Sequence, residues 1–577
     1  MRKIIFLLTL FLLIIPPGLA LKETTIYLPA VEDTGYGHKG ALASVTVDIK
    51  EGNGHVYVDT WPLTKVDTQA SAIIAKKVAC DILFLDCSKY DFYYTIRSEA
   101  QIVGGPSGGA AMTVATLASL LDAKINNNVM ITGTINLDGS IGAVSGIIEK
   151  AEAVSEIGNT FLIPKRHFIF DENTSGHVDV IKYASNHWNL TVKKVSSVQE
   201  AFEYFTNYKI KTPEFKFERS EEYQQVMKKL ADKLLDNAKE LKNECETKLK
   251  NSKIGHESEK QVSELCELSL DKAEENYYKK NYYSAASFAF SKSISYKYGI
   301  KLTELLESED KKNFLKNYLN NIESRIFEIN TSNLELYAIT EERLSETYDN
   351  LELAWKDYYN EEYTQSIYYA SFADQRLYTA VSWMNYADQF PKYIKTSRDP
   401  KEAANEIISE TSSILTYISL TTSNSLLSNA YTMLEKAKDN YNSEKYYASI
   451  ITGIKSYVNA ELASEVLYKK DDYLIELHRR GALAAINKTN SVMGQSYFEY
   501  AESLREENPS TSLVYYTYAE KLSNLNQLLN QDFEPEKIKP SEFLTPVSCN
   551  YETAILFLTI SVILCFIAGV ITGKLWK

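Results

Sequence analysis

The chain has 577 residues, 45% of them hydrophobic and 24% charged, with 76 acidic against 62 basic side chains and a formal charge of −14. That length accommodates three or four domains of ordinary size. The acidic balance argues against a nucleic-acid binder, because phosphate backbones demand a basic face.

The first residues read as an address. Met1-Arg2-Lys3 is a short basic start, Ile4 to Ile15 is apolar apart from Thr9, and Pro16-Pro17-Gly18-Leu19-Ala20 breaks the run with small residues. This is the build of a secretory signal peptide over residues 1–20, with cleavage after Ala20.

Gly104-Gly105-Pro106-Ser107-Gly108-Gly109 then opens an apolar, small-residue run from Ala110 to Leu121 that reads as a buried helix. A serine at a helix mouth lies beside free backbone N–H groups and the positive end of the helix dipole. That setting suits a nucleophile, because the attacked carbonyl becomes an oxyanion. The plainer alternative is that Ser107 is an N-cap and nothing more.

A second motif weighs against the plain alternative. Thr132-Gly133-Thr134-Ile135-Asn136-Leu137-Asp138-Gly139-Ser140-Ile141 alternates like a strand and turn. Beyond Gly146, residues Ile147, Ile148, Ala151 and Val154 have helical spacing, and Lys150 falls in the first turns of that helix. Apolar neighbours would desolvate Lys150 and lower its pKa. A neutral lysine can take the proton of a serine hydroxyl, and serine–lysine pairs are an attested catalytic variant.

Residues 25–207 resemble the proteolytic domain of the Lon (endopeptidase La) family. Its Gly-Pro-Ser-Ala-Gly-like motif is matched by Gly105-Pro106-Ser107-Gly108-Gly109, its Thr-Gly-Glu-Val-like strand by Thr132-Gly133-Thr134-Ile135, and its Gly-Gly-Leu-x-Glu-Lys-like helix start by Ser145-Gly146-Ile147-Ile148-Glu149-Lys150. Gly40 to Val47 with Gly52-Asn53-Gly54 resembles the family's first hairpin, and Phe161-Leu162-Ile163-Pro164 the strand after the lysine helix. The resemblance implies an α+β fold with Ser107 as nucleophile, Lys150 as general base, Thr132 orienting the lysine through its hydroxyl, and backbone N–H groups around Ser107 as the oxyanion hole. It implies peptide hydrolysis through an acyl-enzyme, on peptides or unfolded proteins, with no cofactor and no metal. The chain departs from the family at Gly104, where an acidic residue is common, at Gly108 in place of Ala, at Ser145 in place of Gly, and over Tyr94 to Ala100, which lacks the upstream histidines. No Gly-x-x-x-x-Gly-Lys-Ser/Thr loop occurs in these residues, so the resemblance is to the protease without its ATPase module.

Residues 215–535 are a different material, rich in Lys, Glu, Tyr, Asn, Ser and Ala and sparse in Gly and Pro. They predict a mostly α-helical bundle or repeat region. One pattern recurs: Ala273, Tyr277, Tyr282, Ala286, Ala289; then Ala354, Tyr358, Tyr363, Ile367, Ala370; then Ala437, Tyr441, Tyr446, Ile450, Gly453; and more weakly from Ala501. It predicts helix, short turn and returning helix, closely packed on small residues, at a period longer than common helical hairpin repeats. Lys209-Ile210-Lys211-Thr212-Pro213 reads as a connector between the two regions, or as a self-cleavage site.

Residues 536–552 read as a juxtamembrane linker. Residues 553–573 carry no charge and match the thickness of a bilayer, and Lys574 and Lys577 beyond them predict a cytoplasmic tail. The expected protein is therefore a single-pass membrane protein with the bulk of its chain on the extracytoplasmic side. Either of the pairs Cys80/Cys87 and Cys245/Cys266 can form a disulfide in an oxidising compartment, where the sequons at Asn173, Asn189, Asn330 and Asn487 are also permitted. The function expected is a membrane-anchored, ATP-independent serine endopeptidase with a Ser107–Lys150 dyad, with homo-oligomerisation open. The alternative is a non-catalytic surface scaffold whose helical region binds protein partners.

Overall fold

The computed structural model describes residues 23–546 except 34–37, 65, 86, 88, 104, 166–169, 172–175, 178, 212–213, 332, 387–397, 420–422, 466–470 and 530–539. The expected signal peptide, 1–20, and membrane span, 553–573, lie outside the described residues. Among the described residues no helix is long and apolar enough to cross a membrane. The chain forms two compact units, one of residues up to 213 with those from 535 onward, the other of residues 214–534.

The first unit is α+β. Strands β1 (Thr24–Asp33), β2 (His38–Glu51), β3 (Val56–Thr64) and β4 (Tyr90–Val103) form a sheet in the order β1-β2-β4-β3, antiparallel except where β3 runs parallel to β4. Strand periodicity sets its inner face: Ala43, Val45, Val47 and Ile49 of β2 are buried at every second position, as are Phe92, Tyr94 and Ile96 of β4. Helix α1 (Val66–Ile82) crosses from β3 to β4, as parallel neighbours require. Helix α2 (Gly109–Leu120), the expected apolar helix, is buried along its whole length.

Beyond it come β5 (Val129–Ile131), the hairpin β6 (Thr134–Ile135) and β7 (Ile141–Gly142), α3 (Ile147–Ser155), β8 (Thr160–Pro164), α4 (Val180–Trp188), β9 (Thr191–Val195) and α5 (Val198–Thr206). Strands β5, β8 and β9 make a second, parallel sheet in the order β9-β8-β5. Ile147, Ala151 and Val154 of α3 pack on Met130, Phe161 and Ile163 of that sheet.

Strand β10 (Tyr208–Ile210) pairs antiparallel with β11 (Leu544–Pro546). The expected connector at 209–213 therefore begins inside a strand, and the expected linker at 536–552 contains that strand's partner. Both segments are too short and polar to carry a periodic signal, and they meet only across more than three hundred residues.

The second unit is helical among its described residues. Its helices are α6 (Glu221–Asn251), α7 (His256–Cys266), α8 (Asp271–Tyr278), α9 (Tyr282–Glu307), α10 (Lys311–Glu323), α11 (Leu334–Tyr359), α12 (Tyr363–Met384), α13 (Pro400–Ser419), α14 (Ser425–Asn442), α15 (Tyr446–Glu465), α16 (Asp471–Thr489), α17 (Val492–Leu504) and α18 (Pro509–Ser523), with one short turn after them. The repeated pattern maps onto the hairpins α8/α9, α11/α12 and α14/α15. In each, two tyrosines meet across the turn: Tyr277–Tyr282, Tyr358–Tyr363 and Tyr441–Tyr446, with ring centroids 5.4, 6.3 and 5.5 Å apart. The leading alanines Ala273, Ala354, Ala437 and Ala501 are buried. The turn residue is left-handed in all three, at Lys280 (φ 62°), Glu361 (φ 62°) and Glu444 (φ 61°).

Candidate active site

Ser107 sits in a single 3-10 turn, Pro106–Gly108, that leads into α2. Gly105 before it has φ 100°, a conformation that favours glycine, and Pro106 takes the first position of the turn, where its missing N–H costs nothing. The N-cap of α2 is Gly108, and no side chain caps either the turn or the helix. The plain reading of Ser107 as an N-cap is thereby excluded. A hydroxyl placed one residue ahead of the cap position does not reach the helix's free N–H groups.

The backbone of this turn is tied to the second motif. The carbonyl of Ser107 accepts hydrogen bonds from the Gly133 N–H (2.9 Å) and from Thr132 Oγ1 (3.5 Å), and the Ala110 N–H donates to the carbonyl of Gly133 (3.1 Å). The approach is close enough to need glycine on both sides. A Cβ on Gly109 would lie 2.6 Å from Ile135 Cγ2, and one on Gly133 2.2 Å from Ile141 Cγ2. Thr132, expected to orient the lysine, here bonds the serine's own backbone instead.

Lys150 is 4% exposed. Burial pulls its pKa down from 10.5 to about 8, against the opposing charge of Glu149. Its Nζ donates to the carbonyl of Ser145, 3.0 Å away. Gly146 makes this possible as the left-handed N-cap of α3 (φ 67°), with Val31 Cγ2 only 2.7 Å from where a Cβ would stand.

Strands β1 and β2 hold both halves of the site. Leu28 of β1 lies 3.1 Å from the Cβ position of Gly108, beside Ser107, and Val31 of the same strand packs on Gly146, four residues before Lys150. Gly40 of β2 lets α3 close down: a Cβ there would come 2.0 Å from the carbonyl oxygen of Glu149. The structure thus brings the Ser107 turn and the Lys150 helix onto one strand pair. It does not join the two functional groups, since no hydrogen bond links Ser107 Oγ to Lys150 Nζ. Among the described residues no group of three His, Cys, Asp or Glu is arranged to hold a metal.

Sequence reasoning did not find Ser145 as an acceptor. Its role lies in a backbone carbonyl, for which side-chain identity carries no signal. The roles of Gly40 and Gly146 were visible only as motif letters.

Residues 66–205 match the Lon protease (S16) C-terminal proteolytic domain. The chain is similar to the Lon protease of Clostridium acetobutylicum, 32% identical over 139 residues, which cover 23% of this chain and 18% of that protein. It is 36% identical over 150 residues to the Lon protease of Buchnera aphidicola, covering 26% and 18% of the two chains. To the archaeal Lon protease of Methanocaldococcus jannaschii it is 24% identical over 152 residues, covering 25% and 23%. The matched segment thus spans about a fifth of the length of these relatives.

Proposed function

We propose that this protein is a serine endopeptidase that hydrolyses peptide bonds with Ser107 as nucleophile and Lys150 as general base. The observation that carries the proposal is a lysine held nearly dry, with its pKa near 8, on a helix that shares a strand pair with a serine turn in a Lon-like domain. A lysine of that pKa is partly neutral around physiological pH and can act as a base.

In the reaction, Lys150 Nζ turns from the Ser145 carbonyl and takes the proton of Ser107 Oγ. The oxygen attacks the peptide carbonyl. The negative charge on the resulting oxyanion would be met by backbone N–H groups around Ser107, at the entry to α2. The lysine returns the proton to the leaving amine, and water then cleaves the acyl-enzyme with the same lysine accepting its proton.

The substrates proposed are peptides or unfolded proteins. The proposed setting is the outer face of a membrane, anchored by residues 553–573 after removal of residues 1–20. The disulfides Cys80–Cys87 and Cys245–Cys266 support an oxidising compartment.

The test is cleavage of fluorogenic peptides and of unfolded casein by the purified full chain, with and without ATP. Ser107→Ala and Lys150→Arg should each lower kcat/KM by about a thousandfold or more, and ATP should change nothing. Undiminished cleavage by both variants overturns the proposal.

A further inference from the structure

In the helical unit, four helices line an open cleft of about 510 Å³, within the usual size range for a ligand site of roughly 300–1,000 Å³. Each helix presents residues of one face to it. Lys297 and Lys301 are one turn apart on α9, Asp374 and Tyr378 on α12, and Asn237 and Leu241 on α6, while Phe314, Asn317, Tyr318 and Asn321 form a single stripe on α10. Arg325 completes the lining just after α10.

The floor is fixed before any ligand arrives. The nearly buried Asp374 carboxylate accepts from Tyr318 Oη (3.0 Å) and Arg325 Nη2 (2.6 Å) and pairs with Lys297 Nζ (3.4 Å). Asn237 Nδ2 donates to Gln375 Oε1 (3.1 Å), so the carboxamides of the floor are oriented as well. Three cationic side chains nevertheless face one lining carboxylate, in a protein whose overall charge is −14. Lys301, on the wall, shares Glu304 with Lys248.

We infer that this cleft binds the C-terminal carboxylate of a peptide. Surplus cationic charge would meet the carboxylate. The exposed carboxamides Asn317 and Asn321 are suited to pair with peptide amides, which a simple inorganic anion lacks. Phe314 and Tyr378 provide apolar wall for a terminal side chain. The inference deepens the proteolytic reading and rests on it for its biological sense, since every hydrolysed peptide bond creates one new terminal carboxylate. The helical unit would then hold products or frayed chain ends.

The test uses the full chain carrying Ser107→Ala, so that binding is read without cleavage. The probe is a mixture of N-terminally fluorescein-labelled tetrapeptides, once with free carboxylates and once C-terminally amidated, followed by fluorescence anisotropy. The free acids should bind at least about tenfold tighter than the amides, as expected when a charge-assisted pair is lost. Lys301→Gln and Arg325→Gln should each erase most of that preference, and Lys301→Arg should restore it. Thermal melts by circular dichroism check that each variant folds. Equal binding of acids and amides overturns the inference, as does an acid preference that survives both Gln variants. Displacement of the acids by millimolar phosphate but not by unlabelled acetylated tetrapeptide acids also overturns it, in favour of an inorganic anion site. Loss of binding with wild-type cleavage intact sinks this inference alone; intact binding with no cleavage by the wild type sinks the peptidase and leaves the cleft.

Discussion

Lys150 Nζ donates its hydrogen bond to the carbonyl of Ser145, five residues earlier on its own chain. That bond holds the amine at the N-terminal end of α3, where burial has already lowered its pKa to about 8. A general base must be neutral, so the proposed reaction should speed up as protons leave. We expect kcat/KM to rise with pH, reach half its plateau near pH 8, and level off above it. A flat profile from pH 6 to 10 would remove Lys150 from the base role.

The same burial costs stability. In the unfolded chain Lys150 returns to its ordinary value of 10.5, and in the folded chain it titrates near 8. Between those two values the unfolded state binds more protons, so stability rises with pH across that window and is flat below it. At neutral pH the cost of keeping a desolvated ammonium is on the order of 3 kcal/mol, taking about 1.4 kcal/mol for each pKa unit. Lys150→Met keeps the shape and removes the charge. It should be inactive and yet melt at a higher temperature than wild type at pH 7, read by differential scanning calorimetry.

Gly40 tests how the site is assembled without touching its chemistry. A methyl there would fall 2.0 Å from the Glu149 carbonyl oxygen, a backbone atom that moves only if α3 moves. Gly40→Ala should cost roughly 1–3 kcal/mol, as overpacking does, and should depress kcat far more than KM because α3 carries the base. Wild-type kcat in this variant would mean that the seating of α3 on β2 does not matter to the reaction.

What the residues announced and what they concealed follow one physical division. Ala110 to Leu121 and Ile147 to Val154 declared themselves because helical periodicity is local. The tyrosine and alanine positions of the hairpins repeated at fixed offsets for the same reason. A third repeated feature went unread: Ser366, Ser449 and Ser512 each donate to the carbonyl of the leading alanine of the partner helix, at 2.6, 2.7 and 2.8 Å. Serines are common in this composition, and only the fold shows which of them face a neighbour's backbone. The pairing of β10 with β11 and the Thr132 bond to Ser107 stayed hidden because both are non-local. The Ser107 turn was legible as a motif, while its 3-10 geometry, which moves the cap to Gly108, was not.

The left-handed turn residues give a prediction for the repeats. Lys280, Glu361 and Glu444 hold φ near +60° although each carries a Cβ. Glycine pays no steric penalty there. Glu361→Gly and Glu444→Gly should each stabilise the helical unit by about 0.5–1 kcal/mol in urea unfolding, whereas the neighbouring helical change Asp357→Gly should destabilise it by a similar amount. A destabilised Glu361→Gly would show that the side chain contributes more than the turn costs.

The Cys245–Cys266 disulfide ties the end region of α6 to the end of α7 across 21 positions of chain. Gly299 of α9 packs against it, with Cys245 Sγ 2.8 Å from the position of an added Cβ. The bond therefore occupies a slot that the third helix leaves empty for it. Closing a loop of this size restricts the unfolded chain enough to stabilise the fold by roughly 3 kcal/mol. The double variant Cys245→Ser/Cys266→Ser should have an unfolding free energy lower than wild type's by about that amount and hence a lower urea midpoint, and reduction of the wild type with dithiothreitol should move its midpoint toward the variant's. Gly299→Ala should weaken the unit most while the disulfide is intact, because the added methyl would stand 2.8 Å from Cys245 Sγ, an atom that the bond to Cys266 holds in place. An equal loss in the reduced protein would show that α9 is held against this pair by backbone packing and not by the room the glycine leaves.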